Sequence, residues 1–236
     1  MKHLLLFDMD GTLLINNEEA KKPNPKRKIF PAVLDEVFHV GYPRYDKILT
    51  IEKIAGMTDV MIIRYVLETL GVGRERIEAG LPIAVKRICE MAGEMADQAT
   101  EFDTYVPLPG VVEMLEGFKA GGYTMSVCTG NLDCMAKMKL EIIGLHNGFF
   151  GPGGFGSDAE DRSEIIAAAI ARNAGFEPES TLYFGDTPRD IAAARQAGVV
   201  PVGVTVSGHF SARDLDGAAA IVENWEALDA VMALLQ

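Results

Sequence analysis

The sequence predicts an α/β protein in which a parallel sheet is flanked by helices and an all-helical segment is inserted after the first strand. Three observations carry this reading. Short apolar runs alternate with helix-patterned segments along the chain. Three of those runs end in polar clusters, at Asp8–Thr12, Thr129–Asn131 and Gly185–Asp190. The stretch between Leu14 and Tyr105, about 90 residues, shows helical periodicity and no convincing buried strand.

Four strands are expected, at Leu4–Phe7, Tyr123–Cys128, Thr181–Phe184 and Val199–Val204. Helices separate them. Val111–Ala120 follows Pro109-Gly110. Leu132–Ile143 starts after Asn131, a good N-cap, and stops at Gly144. Glu164–Ala174 follows Ser163, and Pro188–Ala197 has Thr187 as cap and Gly198 behind it. A last helix is read over Trp225–Leu235. In the inserted segment, Ile62, Ile63, Val66, Leu67 and Leu70 form one helical face, with Arg64 and Glu68 as an i,i+4 pair outside it. Ile88, Met91, Ala92, Met95 and Ala99 mark a second helix, and Phe30–Val40 a third. The insertion is therefore read as residues 15–104, a cap over the strand ends, and the core as residues 1–14 and 105–236.

Composition narrows the class of protein. The chain has 236 residues, 48% hydrophobic and 24% charged, which excludes a disordered chain, a collagen and a disulfide scaffold. The apolar runs fall far short of the roughly 20 residues that span a bilayer, and the one near the N-terminus is too short for a signal-peptide core. A net charge of −12 and a pI near 4.8 argue against nucleic acid as a partner. Cys89, Cys128 and Cys134 lack metal-type spacing and read as reduced thiols of a cytoplasmic protein. His3, His39, His146 and His209 show no ligand spacing. Lys21–Lys28 is a basic island read as a solvated, Pro-rich loop, and Gly56–Asp59 as the start of the next helix.

The chemistry concentrates at the strand ends, where open parallel sheets bind their ligands. Asp8 and Asp10 are two residues apart in an extended segment and so face one side; that pairing calls for a cation or a shared proton. Gly11 permits a tight turn there, and Thr12 can bond to the turned loop. Asp186 sits where it could join Asp8 around a metal, while Asp190 lies in the first turn of a helix, as a cap or a further acidic group. Carboxylates and carbonyls are the donors of a hard ion such as Mg²⁺. Thr129, Gly130 and Asn131 offer a hydroxyl and backbone N–H groups to an anion at a helix start.

Together these residues resemble the haloacid dehalogenase superfamily of Mg²⁺-dependent phosphotransferases. The matching motifs are Asp8-Met-Asp-Gly-Thr12, then Thr129, then Gly185-Asp186 with Asp190. The usual lysine of the remaining motif is replaced, with Arg162 the best-placed residue, 24 positions before Asp186, and Lys137 and Lys139 as substitutes. The resemblance implies a Rossmann-like doubly wound core with a helical cap, closest in shape to the phosphoglycolate phosphatase and β-phosphoglucomutase branch. It implies Asp8 as nucleophile, Asp10 as acid and base with a pKa above that of Asp8, and Mg²⁺ held by Asp8, the Asp10 carbonyl, Asp186 and Asp190. Thr129, Gly130, Asn131 and Arg162 would hold the transferring phosphate. The dehalogenases themselves lack an aspartate at the second position, so Asp10 points to phosphoryl chemistry on a small phosphorylated substrate. A phosphomutase shares these motifs, and a non-catalytic binding protein would not need every acidic position intact. A monomer or homodimer is expected.

Overall fold

The computed structural model describes residues 2–17, 19–20, 24–42, 48–97, 103–145 and 148–236. Ala99, Lys21–Pro23 and His146 therefore lie outside the described residues. In chain order the strands are β1 (Leu4–Phe7), β2 (Leu14–Asn16), β3 (Tyr105–Pro107), β4 (Thr124–Thr129), β5 (Gly151–Phe155), β6 (Thr181–Gly185), β7 (Val200–Val204) and β8 (Ala220–Val222). The helices are α1 (Pro25–Phe38), α2 (Ile51–Ile54), α3 (Asp59–Thr69), α4 (Arg74–Ala96), α5 (Val111–Ala120), α6 (Asp133–Ile142), α7 (Arg162–Arg172), α8 (Pro188–Gln196) and α9 (Asp229–Leu234).

Six strands form one sheet in the order β5-β4-β1-β6-β7-β8, every pair parallel. The four-residue apolar run of β1 is buried throughout, as a central parallel strand requires. Its side chains alternate between two cores. Leu5 and Phe7 enter one with Phe184 and Trp225, where the Phe7 and Phe184 rings stack at 4.6 Å. Leu4 and Leu6 enter the other, with Ile165, Ile166 and Tyr183. Each such side chain contributes roughly 1.5–3 kcal/mol by leaving water. The strand is held rigidly from both faces, and its carboxyl end is a fixed platform.

The chain between β2 and β3 carries α1 to α4, of which the periodicity predicts α1, α3 and α4 but not the short α2, and the connections add a further feature that it does not predict. β2 and β3 pair antiparallel where the chain leaves and re-enters the sheet layer. Helix α1 begins earlier than Phe30, because the Asn24 side chain caps it by accepting from Lys26 N and Arg27 N, with Pro25 in the first turn. The described part of the basic island is thus a helix start, not a loop.

Other differences have local causes. β5 reads Gly-Pro-Gly-Gly-Phe and has no apolar pattern, so it is invisible to periodicity. Its glycines are required by close packing: a Cβ at Gly153 would lie 2.5 Å from the Val127 carbonyl oxygen, and one at Gly154 2.3 Å from that of Ile165. β8 is too short to announce itself. The final helix spans only Asp229–Leu234, because Trp225 is buried beside Phe184 and its indole N–H donates to the Thr12 carbonyl at 3.2 Å. Helix α7 is capped by Asp161, whose Oδ1 accepts from Ser163 N, rather than by Ser163.

The cysteine reading is corrected. Cys89 on α4 and Cys134 on α6 form a disulfide with Cα atoms 5.2 Å apart, while Cys128 is a buried free thiol. Sequence spacing could not show this, because the pairing depends on the packing of α4 against α6. The bridge spans 45 residues, a separation at which chain entropy gives ~4 kcal/mol. Thiol titration of the denatured chain should find one thiol without reductant and three with it, and reduction should lower the melting temperature; three thiols without reductant would contradict the bridge.

Candidate active site

The chain turns sharply after β1. Thr12 N and Leu13 N both donate to the Met9 carbonyl, and Gly11 takes φ +80°. A side chain at Gly11 would strike Asp186, with its Cβ 2.0 Å from Oδ2, so only glycine lets the turn pass beneath that carboxylate. The turn also separates Asp8 from Asp10. Instead of sharing one cation as their spacing suggests, the two carboxylates take different partners. The expected Thr12 hydroxyl bond is replaced as well: Oγ1 is buried without a partner among the described residues, and the Thr12 backbone makes the bonds.

Asp8 is buried at the end of β1 and Asp186 just after β6. With Asp190 in the first turn of α8 they form a buried group whose ligand atoms lie within 4.8 Å of one another. Arg162, the first residue of α7, reaches into it. Its Nη1 lies 3.4 Å from Asp8 Oδ1, donates to Tyr183 Oη at 2.8 Å and pairs closely with Asp190 Oδ1. Of the three candidates for the replaced lysine, Arg162 is the one beside Asp8; Lys137 pairs with Asp133 on the surface, and Lys139 reaches Asp10 instead.

Asp190 takes both of its expected places, in the helix cap and in the acidic group. Oδ2 accepts from Thr187 N at 2.9 Å and Thr187 Oγ1 at 2.6 Å in a reciprocal capping box, and Oδ1 accepts from Tyr183 and Arg162. Both oxygens are occupied. Asp8 Oδ1 and Asp186 Oδ1, in contrast, have no hydrogen-bond partner among the described residues. Two buried, unpartnered carboxylate oxygens in an all-oxygen donor set fit a hard divalent cation.

The electrostatics agree. Burial pushes Asp8 up to about 7, with Arg162 opposing and Asp190 and Asp186 adding to the rise. Burial likewise raises Asp186 to about 6 against the pull of His209, whose Nδ1 lies 3.9 Å from Asp186 Oδ2. Asp10 moves the other way. Burial opposes the change, but Lys139, Lys26 and Asn131 together hold it at about 2. The expected order of Asp10 above Asp8 belongs to a site in which a metal stabilises the Asp8 charge; with the protein's own charges alone Asp8 lies above Asp10. The reason is that Asp10 meets two lysines, whereas Asp8 shares one arginine with other carboxylates.

Thr129 and Asn131 lie at the end of β4. Asn131 is not the helix cap expected: Leu132 takes that position, and the Asn131 amide donates to Asp10 Oδ2 and to Thr129 Oγ1, both at 2.8 Å. Gly130 meets the inserted segment, its carbonyl accepting from Asp59 N at 2.8 Å. Asp59 also accepts from Leu132 N and pairs with Lys26 at 2.5 Å. So Gly56–Asp59 is both the start of α3, capped by Thr58, and a loop that closes on the site. The sequence reading named Lys139 only as a substitute for the motif lysine, read Lys26 as part of a solvated loop and Asp59 as part of a helix start, and gave His209 no role. For Lys139 a signal existed: it falls one helical turn after Met135 on the apolar face of α6.

This arrangement of acidic groups on parallel strand ends beneath a helical segment defines a hydrolase class. The chain belongs to the haloacid dehalogenase-like hydrolase family, whose model matches residues 2–198. It is 27% identical over 219 residues to "Probable phosphatase IndB" of Dickeya dadantii, covering 89% of this chain and 84% of that protein. It is 26% identical over 205 residues to phosphoglycolate phosphatase 1 of Pseudomonas aeruginosa, covering 84% and 68%. Among solved structures, β-phosphoglucomutase from Clostridium difficile shares the fold, with a TM-score of 0.65 at 15% identity over 100% of this chain and 97% of that one. The α/β core expected from the strand pattern is confirmed, and no described helix is long and apolar enough to cross a membrane.

The carboxylate group has a consequence for stability. In chelator-treated protein, Asp8 and Asp186 keep protons that the unfolded chain has released above pH ~4. The raised pKa of His209 acts in the same sense, and the contribution of Asp10 is already complete by pH ~5. The melting temperature should thus fall as pH rises from about 5 to 7.5. A divalent cation should raise it more at pH 7.5 than at pH 5; a flat profile with equal shifts would count against the cluster as a cation site.

Proposed function

We propose that this chain is a Mg²⁺-dependent phosphatase that hydrolyses a small phosphorylated metabolite, phosphoglycolate- or sugar-phosphate-like, through an aspartyl-phosphate on Asp8. The observation that carries the reading is the pair of buried oxygens on Asp8 and Asp186 that accept no hydrogen bond among the described residues, the Asp8 oxygen lying 3.4 Å from the Arg162 guanidinium. An anionic nucleophile cannot approach an anionic ester unless positive charge lies between them. Asp8, the Asp10 carbonyl and Asp186 would hold Mg²⁺, which supplies that charge. Asp190 would hold Arg162 toward Asp8 and stand behind the ion.

The chemistry then runs on the chain's own groups. An Asp8 oxygen attacks phosphorus, and the bond to the leaving alcohol breaks, its electron pair staying on the alcohol oxygen. Asp10 gives that oxygen a proton. Lys139 and Lys26 oppose protonation of Asp10, so the charge of the arriving phosphate must offset them. Water next attacks the phosphoryl group, Asp10 takes its proton, and the Asp8 carboxylate is released. Thr129, the N–H groups of Gly130 and Asn131, and Arg162 hold the phosphoryl oxygens.

Residues 15–104 act as the cap, connected near β2 and β3 and tethered to the core by the Cys89–Cys134 bridge, and residues 1–14 and 105–236 as the catalytic core. Closure would exclude water from the intermediate. The Asp59–Gly130 bond and the bond from Arg189 Nη1 to the Ala55 carbonyl at 3.1 Å hold this segment against the strand ends. A cytoplasmic location accords with the family, although the Cys89–Cys134 bridge removes the cysteine part of that argument.

The test is phosphate release from a panel of phosphate esters with Mg²⁺. Asp8→Asn should lower release by more than about 1000-fold, and chelator should abolish it in the parent. Isomerisation of a sugar phosphate without net phosphate release would replace the phosphatase by a mutase. No turnover of any ester would sink the reading.

A further inference from the structure

Lys139 touches no reacting atom in the mechanism above, where it enters only as a charge opposing protonation of Asp10, yet its side chain is 2% exposed. It projects from an apolar face of α6 shared with Met135, Ala136 and Leu140. Its Nζ donates to Asp10 Oδ1 at 2.7 Å, Asp10 Oδ2 at 2.6 Å and Asn131 Oδ1 at 2.9 Å, and lies 5.2 Å from the Tyr105 ring centre. The Asn131 amide in turn donates to Asp10 Oδ2. Lys139, Asn131 and Asp10 thus close a triangle in which all three ammonium donors are used.

Stability alone does not explain a buried lysine here. The Asp10 side chain is 48% exposed, so solvent weakens the pair, and an apolar residue of similar length would pack the same space without desolvating a charge. What the triangle does achieve is orientation. Asp10 sits on the turn between Met9 and Leu14, and with half its side chain in the open its carboxylate needs a fixed partner to keep one direction. Lys139 is rooted in α6, which the Cys89–Cys134 bridge ties to α4.

We infer that Lys139 is a positioning residue that fixes the Asp10 carboxylate for proton transfer to and from the substrate. The inference rests on the phosphatase reading. Lys139 forms and breaks no bond; it acts where the proton of Asp10 passes to the leaving oxygen as the phosphorus–oxygen bond breaks. Its importance therefore depends on the leaving group. An alkoxide needs that proton, whereas p-nitrophenolate leaves without it.

The experiment compares an alkyl phosphate with p-nitrophenyl phosphate in the parent, Lys139→Met, Asp10→Asn and the double variant, each with Mg²⁺. The readout is kcat/KM, which reports the step in which the leaving group departs and not the later hydrolysis of the intermediate, where Asp10 serves both esters alike; the ratio of the two kcat/KM values is independent of the fraction of protein that folds. Lys139→Met should lower kcat/KM for the alkyl ester by roughly 100-fold while that for p-nitrophenyl phosphate falls less than about fivefold. In the Asp10→Asn background it should cost almost nothing more. If Lys139→Met does not fold, Lys139→Gln, which keeps a donor, carries the same comparison. Equal losses on both esters, or full additivity with Asp10→Asn, would overturn the positioning role. A rise in KM confined to esters bearing a carboxylate, with kcat kept, would overturn it in favour of substrate anchoring. A parent that turns over neither ester would instead remove the phosphatase reading itself.

Discussion

Three carboxylates, those of Asp8, Asp186 and Asp190, are buried together at the ends of β1 and β6 with a single guanidinium among them. Burial of unbalanced charge costs several kcal/mol per ion, even after relaxation. Much of the surrounding structure is arranged around that cost. Thr187 and Tyr183 saturate Asp190, Arg162 is fixed against it, and Gly11 clears the space that Asp186 occupies. The imbalance is left on Asp8 and Asp186, both of whose pKa values burial raises. A site that concentrates its electrostatic debt on two adjacent oxygens is arranged to receive a cation.

A second charged group mirrors the first on the side of the inserted helices. Asp10 is surrounded by Lys139, Lys26 and Asn131, and Asp59 joins Lys26 to the backbone of Gly130 and Leu132. Here two lysines balance two carboxylates, and both lysines act on Asp10. The first strand thus presents two aspartates in opposite electrostatic settings only two residues apart, and the turn at Gly11 is what makes that separation possible. The Cys89–Cys134 bridge adds a covalent link between the inserted helices and the sheet layer at the same interface.

The legible parts of the sequence were those in which one local rule operates. The apolar run Leu4–Phe7 must be a buried strand, and Thr187-Pro188 with Gly198 marks both ends of α8. Asp8 and Asp186 could be paired because parallel strand ends converge. What stayed hidden depends on contacts between distant segments. β5 consists largely of glycines selected by neighbouring carbonyls, the disulfide depends on how α4 crosses α6, and the partner of Asp10 lies 129 residues away in sequence. The Asn131 side chain illustrates the limit well. Its position is that of a helix cap by local rules, yet a nearby carboxylate and ammonium outcompete the helix for its amide.

The central claim is that the Asp8–Asp186 pair is held in a destabilising arrangement that a divalent cation relieves. Thermal unfolding of Asp186→Asn beside the parent at pH 7.5, with chelator and with Mg²⁺, tests it most directly. The account predicts that the variant melts above the parent in chelator, because one uncompensated charge is gone, and that Mg²⁺ no longer raises its melting temperature. A variant that melts below the parent in chelator and is still raised by Mg²⁺ to the same extent would contradict it.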